Sequence, residues 1–443
     1  MSNVLVLGAG RSSGVLIEYL LEQSASHGWT VTVADRMVEA ATAAVKDHPR
    51  GVPVSLDPAN ETATASLIRD ADVVISMLPH AWHVPVATLC LRERRHLLTA
   101  SYVTPAMNAL DKDVRSAGLL FLNECGLDPG IDHMSAMEMI DRIHGEGGSI
   151  LSFESFTGGL IAPDTDPTNP WHYKFTWNPR NVVLAGQQGD AEYLYNGETV
   201  KVPYAKLFLS TTSFDVPGIG VLEGYPNRDS LRYIELYGIP ETKTLIRGTF
   251  RYKGFCSAWN VLVKLGCCDD TRELDKVATT THAGFIRSFL PSPNGSVEEG
   301  LARFAGLAID SPEMECLRWS GFFNDEPIGL TSGTPAQVFE HILMKRWALN
   351  KEDHDLVVML HRIVYESDGK RNSLQAHMNQ VGTDTHTAMA TTVGLPLGIA
   401  TKLLLEGRIT LRGVAIPVKK ELYAPILHEL ADRGIVFEST SNT

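Results

Sequence analysis

Two periods of apolar residues alternate along the first part of the chain. Val4 to Leu7 are apolar in succession, as in a strand buried on both faces inside a parallel sheet. The turn Gly8-Ala9-Gly10-Arg11-Ser12-Ser13-Gly14 follows, and Val15 to Leu21 then repeat with a helical period. The spacing predicts a strand, a tight turn and a helix beginning near Arg11. Thr30 to Ala34 before Asp35, Val52 to Leu56 before Asp57, Ala71 to Pro79, Leu97 to Tyr102 and Leu119 to Leu122 read as further strands between helical segments. Such alternation predicts right-handed crossovers, a parallel sheet, and ligands at the carboxyl ends of its strands. Met77 to Pro79, Ser101-Tyr102 and Asn123 to Asp128 lie just past those ends and are expected in one crevice.

From about residue 130 the texture changes. Met134 to Ile143 has helical periodicity, Ile150 to Thr157 reads as a strand before Gly158-Gly159, and residues 160–180 are loop-rich with Trp171, Tyr173, Phe175 and Trp177. Leu245 to Tyr252 alternates like a strand of a mixed sheet. Residues 270–350 read mainly as helices, with Pro335 to Trp347 entered from Ser332-Gly333-Thr334. Leu356 to Tyr365 is a strand closed by the turn Ser367-Asp368-Gly369-Lys370. Thr385 to Leu405 reads as a long apolar helix interrupted near Gly394 and Pro396. The expected class is α/β: a Rossmann-type parallel-sheet domain, a mixed α/β second domain and a small helical insertion.

Composition narrows the function. The 443 residues suit two or three domains, and 44% are apolar. No stretch is expected to reach the roughly 18–20 apolar residues of a membrane span. With no basic and apolar leader before the first strand, secretion is not expected. Cys90, Cys125, Cys256, Cys267, Cys268 and Cys316 show no C-x-x-C pairing, which fits a reduced, cytoplasmic protein, and the adjacent Cys267 and Cys268 read as ordinary thiols. The net charge of −13 argues against nucleic acid as a partner, so an anionic substrate must be held by local arginines.

Gly8 and Gly10 bring bare backbone and a helix N-terminus to a pyrophosphate, with Ser13 in place of the fingerprint's third small residue. Asp35 at a strand tip suits adenine-ribose hydroxyls, whereas Arg36 suits a 2′-phosphate; the balance leans to NAD. Asp128 before Pro129 is expected to be extended and to project into the crevice. Asp132 reads as a helix cap rather than a metal ligand, and no metal site is expected. Arg228 and Arg251 offer planar pairing to carboxylates. His80 and His83, either side of Trp82, read as packed rather than catalytic.

Several stretches resemble the glutamate-forming saccharopine dehydrogenases, also called saccharopine reductases. They are Ala100 to Ala106, Asn123 to Met134, Tyr173 to Trp177, Tyr225 to Ser230, Ile246 to Tyr252 and Met389 to Pro396. The resemblance implies a dinucleotide domain (1–127 and about 385–443), a saccharopine-binding domain (about 128–270 and 351–384) and a helical domain (about 271–350). It implies NAD or NADP contacts at Gly8, Gly10, Arg11, Ser12, Ser13, Asp35, Arg36, Asp57, Ser76, Met77, Leu78, Pro79, Ala100, Leu127, Asp128, Pro129 and Thr176. Saccharopine would meet Ser101, Tyr102, Asp128, Arg228, Thr249, Phe250 and Arg251, with Tyr102 and Asp128 handling protons. Thr157 stands where the family often has cysteine, so no role for that thiol carries over. A homodimer without nucleic-acid or membrane partners is also implied. A carboxynorspermidine-type dehydrogenase and a non-catalytic nucleotide sensor are the alternative readings.

Overall fold

A computed structural model describes residues 2–187, 189–292 and 294–442. The chain divides into two compact units, Met1–Gly148 with Thr385–Glu438, and Ser149–Asp384 with Ser439–Thr443. The expected boundary near residue 127 therefore moves to 148. The helix Ile131–Gly145 stays with the first unit, where its Asp141 accepts a hydrogen bond from Tyr423 Oη at 2.5 Å.

The first unit is built on β1 (Asn3–Leu7), β2 (Thr30–Asp35), β3 (Gly51–Ser55), β4 (Val73–Ser76), β5 (His96–Thr99) and β6 (Leu120–Leu122). Gly413–Ala415 adds a seventh strand beside β6. All pairings are parallel, in the order Gly413–Ala415, β6, β5, β4, β1, β2, β3. The order reverses between β1 and β4, the switch point where such sheets take ligands.

The helix Ala388–Leu405 runs without a break, contrary to the expected interruption. Its glycines serve close packing instead: a Cβ on Gly394 would lie 2.8 Å from Leu16 N, and one on Gly398 would lie 2.5 Å from the Tyr19 ring. With 18 residues and a mean hydropathy of 1.5 it is long and apolar enough to cross a membrane, which corrects the expectation that no segment is. In the fold, 78% of that stretch is buried inside the protein.

The second unit carries a mixed sheet. Its strands are β7 (Ser149–Ile161), β8 (Ala191–Tyr195), β9 (Glu198–Val202), β10 (Thr212–Val216), β11 (Gly220–Pro226), β12 (Thr244–Tyr252), β13 (Asp355–Ser367) and β14 (Lys370–Val381). The order is β10, β11, β12, β7, β13, β14 and Glu438–Asn442, with the β8–β9 hairpin joined to β12. Only β12 and β7 are shown to pair in parallel; β10–β11, β11–β12, β7–β13 and β13–β14 are antiparallel. Asp368 and Gly369 both have positive φ, 53° and 69°, which gives the β13–β14 hairpin the turn its twist favours.

Thr334 caps Pro335–Trp347 in a reciprocal capping box with Gln337. The helical segment shares one apolar core with the sheet, from Phe156 and Phe250 through Trp259 and Trp347 to Phe285 and Leu301. It is therefore continuous with the second unit and forms no third body. The six cysteines are all free and buried.

Candidate active site

The glycine turn locks three strand tips of the first unit together. Gly8 has φ 102°, its N–H donates to Ala34 O at 2.8 Å, and a Cβ there would lie 3.0 Å from Met77 O. Only glycine fits that approach comfortably. Gly10 differs: a Cβ on it would meet nothing within 4 Å, so the space beside the turn is open. An open face of bare backbone at the switch point fits a dinucleotide pyrophosphate. Arg11 to Ser13 form a further turn and the helix starts only at Gly14, later than Arg11, with Ser13 Oγ donating to Gly10 O at 2.8 Å.

Asp35 also has a local task. Its Oδ2 accepts Ala9 N–H at 2.8 Å and its Oδ1 accepts Met37 N–H at 2.9 Å. The carboxylate thus buckles the glycine turn to the end of β2, while Arg36 is exposed beside it. Asp57 Oδ1 accepts Ala59 N–H at 3.0 Å in the turn after β3.

At the tips of β4 and β5 the polar side chains form a chain. His83 is buried, with Nδ1 3.0 Å from Ser76 Oγ and Nε2 2.7 Å from Ser101 Oγ. Burial, aided by the neighbouring His80, pushes its pKa down to about 4, so the imidazole is neutral near pH 7. Met77, Leu78 and Pro79 continue the β4 tip, and Ala100 packs at the β5 tip, where a Cβ on Gly126 would lie 2.8 Å from Ala100 Cβ.

Tyr102 and Asp128, paired only by resemblance in the sequence, are brought together. The phenol O–H of Tyr102 donates to Asp128 Oδ1 at 3.1 Å. Asp128 stands directly before Pro129. Its peptide to Pro129 is cis, in a closed loop where Gly126 N–H donates to Pro129 O at 3.0 Å and Ile131 N–H to Gly126 O at 2.9 Å.

A buried network fixes both ends of this loop. Glu124, with φ 54°, accepts Val103 N–H at 2.9 Å and lies 2.8 Å from His133 Nε2. His133 Nδ1 lies 3.5 Å from Asp132 Oδ2, and Asp132 Oδ1 accepts Gly130 N–H at 2.5 Å, the first-turn role expected of it. Leu127 and Pro129 are buried within the loop. No group of acidic, histidine or cysteine residues that could hold a metal occurs among the described residues.

In the second unit Arg247, Thr249 and Arg251 alternate along β12 on one face. Arg251 is 5% exposed. Its guanidinium lies over the rings of Tyr173, Phe255 and Tyr225, at 4.9, 5.1 and 5.9 Å from their centroids, and donates to Phe250 O at 2.7 Å. Its Nε has no acceptor, and among the described residues it makes no ion pair; Glu223 stands opposite it on β11, accepting the Cys256 N–H at 2.7 Å, and favours its charge. Thr249 donates to Asn227 Oδ1 at 2.7 Å and stands opposite Thr157 and Tyr225 in the sheet.

The Phe250 side chain points away from Arg251, into the aromatic core at 5.3 Å from both Phe156 and Phe214. As a site residue it can offer its backbone alone. Arg228 is exposed after β11. Thr176 sits in a loop pinned by buried Lys174, which pairs with Asp353 at 2.8 Å and Asp166 at 3.0 Å. The buried hydroxyls of Thr176 and Thr157 have no hydrogen-bond partner.

His83 is packed and hydrogen-bonded, as read from the sequence, whereas its serine partners were not foreseen and Glu124, His133 and Lys174 were given no role. The cue for His83 was its position one turn beyond a strand tip, facing two serines and a threonine that end neighbouring strands. The other three offered only a polar residue at a position the fold buries.

Two family models match, the saccharopine dehydrogenase NADP binding domain over residues 4–122 and the saccharopine dehydrogenase C-terminal domain over residues 126–435. Saccharopine dehydrogenase [NADP(+), L-glutamate-forming] from Saccharomyces cerevisiae is 35% identical over 447 residues, covering 97% of each chain. The Schizosaccharomyces pombe protein of the same description is 32% identical, covering 99% of this chain and 98% of its own. Alpha-aminoadipic semialdehyde synthase, mitochondrial, from Mus musculus is 38% identical over 99% of this chain but only 48% of its own length. The chain thus spans about half the length of such relatives. The solved apo structure of the Saccharomyces cerevisiae saccharopine dehydrogenase (L-Glu forming) superposes with a TM-score of 0.89 at 32% identity, over the full length of both chains.

Proposed function

The chain belongs to the saccharopine dehydrogenase family, and from there we propose that it interconverts saccharopine and water with glutamate and aminoadipate semialdehyde, using NADP. Bound NADP supplies the hydride acceptor. The chain's own residues have the remaining tasks. Arg228 and Arg251 hold carboxylates of the substrate, and Thr249 lends a hydroxyl. The Tyr102–Asp128 pair takes and returns protons at the substrate amine and at the water that attacks the oxidised carbon. General acid–base groups of this kind contribute roughly 10²–10⁴-fold.

The observation that carries this reading is Arg251, a buried guanidinium that makes no ion pair among the described residues, although the carboxylate of Glu223 stands opposite it across the sheet. Burial disfavours its charge while Tyr225, Tyr173, Cys256 and Glu223 favour it, so the cation is kept, and a substrate carboxylate supplies the ion pair it does not make within the chain. The choice of NADP over the NAD towards which Asp35 leaned follows the matched NADP binding domain. It also has a local reason. Both Asp35 oxygens already accept backbone N–H groups, and exposed Arg36 beside them can meet a 2′-phosphate. We propose a homodimer in a reducing, cytoplasmic compartment, checked by sedimentation and by microscopy of a tagged chain.

Steady-state oxidation of saccharopine with NADP and NAD in parallel tests the proposal, with carboxynorspermidine as the comparison substrate. Turnover of saccharopine with NADP preferred is expected. An enzyme that prefers carboxynorspermidine, or one that binds NADP but turns over neither amine, refutes it.

A further inference from the structure

His83 lies outside the roles given so far, yet its imidazole joins the tips of two strands. Ser76 is 1% exposed, and the described residues give its hydroxyl no side-chain partner except His83 Nδ1, at 3.0 Å. A buried hydroxyl hydrogen without an acceptor costs more than an unfilled lone pair, so the Ser76 O–H belongs on Nδ1. Thr99 Oγ1, 3.5 Å from the same nitrogen, already accepts the Ser101 N–H at 3.2 Å. A neutral imidazole carries one proton, which is then on Nε2, facing Ser101 Oγ at 2.7 Å. Ser101 receives a hydrogen bond on its oxygen and has its own O–H left to donate outward.

We propose that His83 is a positioning residue: held as the Nε2–H tautomer by Ser76, it turns the Ser101 hydroxyl into a fixed donor for a carboxylate of the amino-acid substrate. Low basicity suits this task, because the ring keeps one proton and one polarity across the physiological range. This inference rests on the saccharopine reading for the identity of the ligand, and on the geometry alone for the tautomer.

The test compares two amides in the full-length protein. His83→Gln places an amide N–H where Nε2 stands and keeps the donor to Ser101, whereas His83→Asn reaches only the position of Nδ1. His83→Asn is expected to raise the saccharopine KM about tenfold, the loss of roughly one hydrogen bond to a charged group. His83→Gln should stay within about threefold of wild type, and the NADP KM should hold in both variants. In a Ser101→Ala background, His83→Asn should add nothing further to the saccharopine KM.

Equal effects of the two amides, or additivity with Ser101→Ala, overturn the proposal. Nitrogen-15 shifts of the His83 ring, assigned by their loss in His83→Gln, read the tautomer without any turnover. A protonated Nε2 and a bare Nδ1 at neutral pH are expected, and the reverse overturns it. A wild type inert towards saccharopine would refute the proposed function, while these shifts would still decide the tautomer.

Discussion

The strand tips of the first unit and strand β12 of the second treat buried polarity in opposite ways. Ser76, His83 and Ser101 hydrogen-bond in a row, and Glu124 ties Val103 to His133. Along β12 the guanidinium of Arg251 rests on aromatic rings with Nε unmet, and the Thr157 hydroxyl on neighbouring β7 is unmet as well. The first arrangement ties nearly all of its groups to one another within the chain, so it is held still before a ligand arrives. In the proposed function the second gains its missing partner from the ligand, and binding there is selective for a carboxylate.

The sharpest way to break this contrast is Arg251→Met, which keeps much of the volume and removes the charge. It should lower kcat/KM for saccharopine by roughly 10²–10³-fold, the range for losing one partner of a buried charged pair. Parallel kinetics with NADP varied should show the cofactor KM unchanged. A loss shared equally by both substrates would mean that Arg251 supports the fold.

In the first arrangement, His83 makes stability depend on pH. Its folded pKa of about 4 lies below the ordinary histidine value of 6.5, so the unfolded chain binds the extra proton first. The stabilisation is fully present above about pH 6.5 and is lost as pH falls towards 4, on the order of 3 kcal/mol in all. Urea unfolding across that window should show a gentler slope in His83→Gln. An unchanged slope would place the effect elsewhere.

Glu124→Gln keeps an acceptor for Val103 N–H but alters the contact with His133. A loss of about 2 kcal/mol in urea unfolding is expected, with kcat falling along with it because the Asp128 loop loosens. Smallest is Arg36→Ala, which should raise the NADP KM about tenfold and leave the NAD KM alone, one exposed charge-assisted contact having been removed.

The parallel sheet was legible because its strands are short apolar runs ending in glycine or acidic residues, as at Leu7-Gly8 and Ala34-Asp35. The hairpin at Asp368-Gly369 and the helix entry at Thr334 were equally plain, since their residue chemistry is local. The Ala388–Leu405 helix was misread at Gly394 because its close packing on Leu16, like that of Gly398 on Tyr19, is a tertiary fact; the helix also continues through Pro396. Resemblance to a family named Tyr102, Asp128 and Arg251 as candidates; the fold pairs the first two and buries the third. The period of two along β12 puts Phe250 and Arg251 on opposite faces, but it could not tell that Phe250 packs on Phe156 and Phe214. Nor could it give His83 a role, because its partners end two separate stretches of sequence, at Ser76 and at Thr99 to Ser101.

Thermal unfolding of wild type and Arg251→Met, with and without saccharopine in the presence of NADP, tests most directly whether β12 awaits an anionic partner. The account predicts that saccharopine raises the Tm of wild type and leaves that of Arg251→Met unmoved, and that the ligand-free variant is at least as stable as wild type. A variant that unfolds well below wild type without ligand, yet gains the same protection from saccharopine, would contradict it.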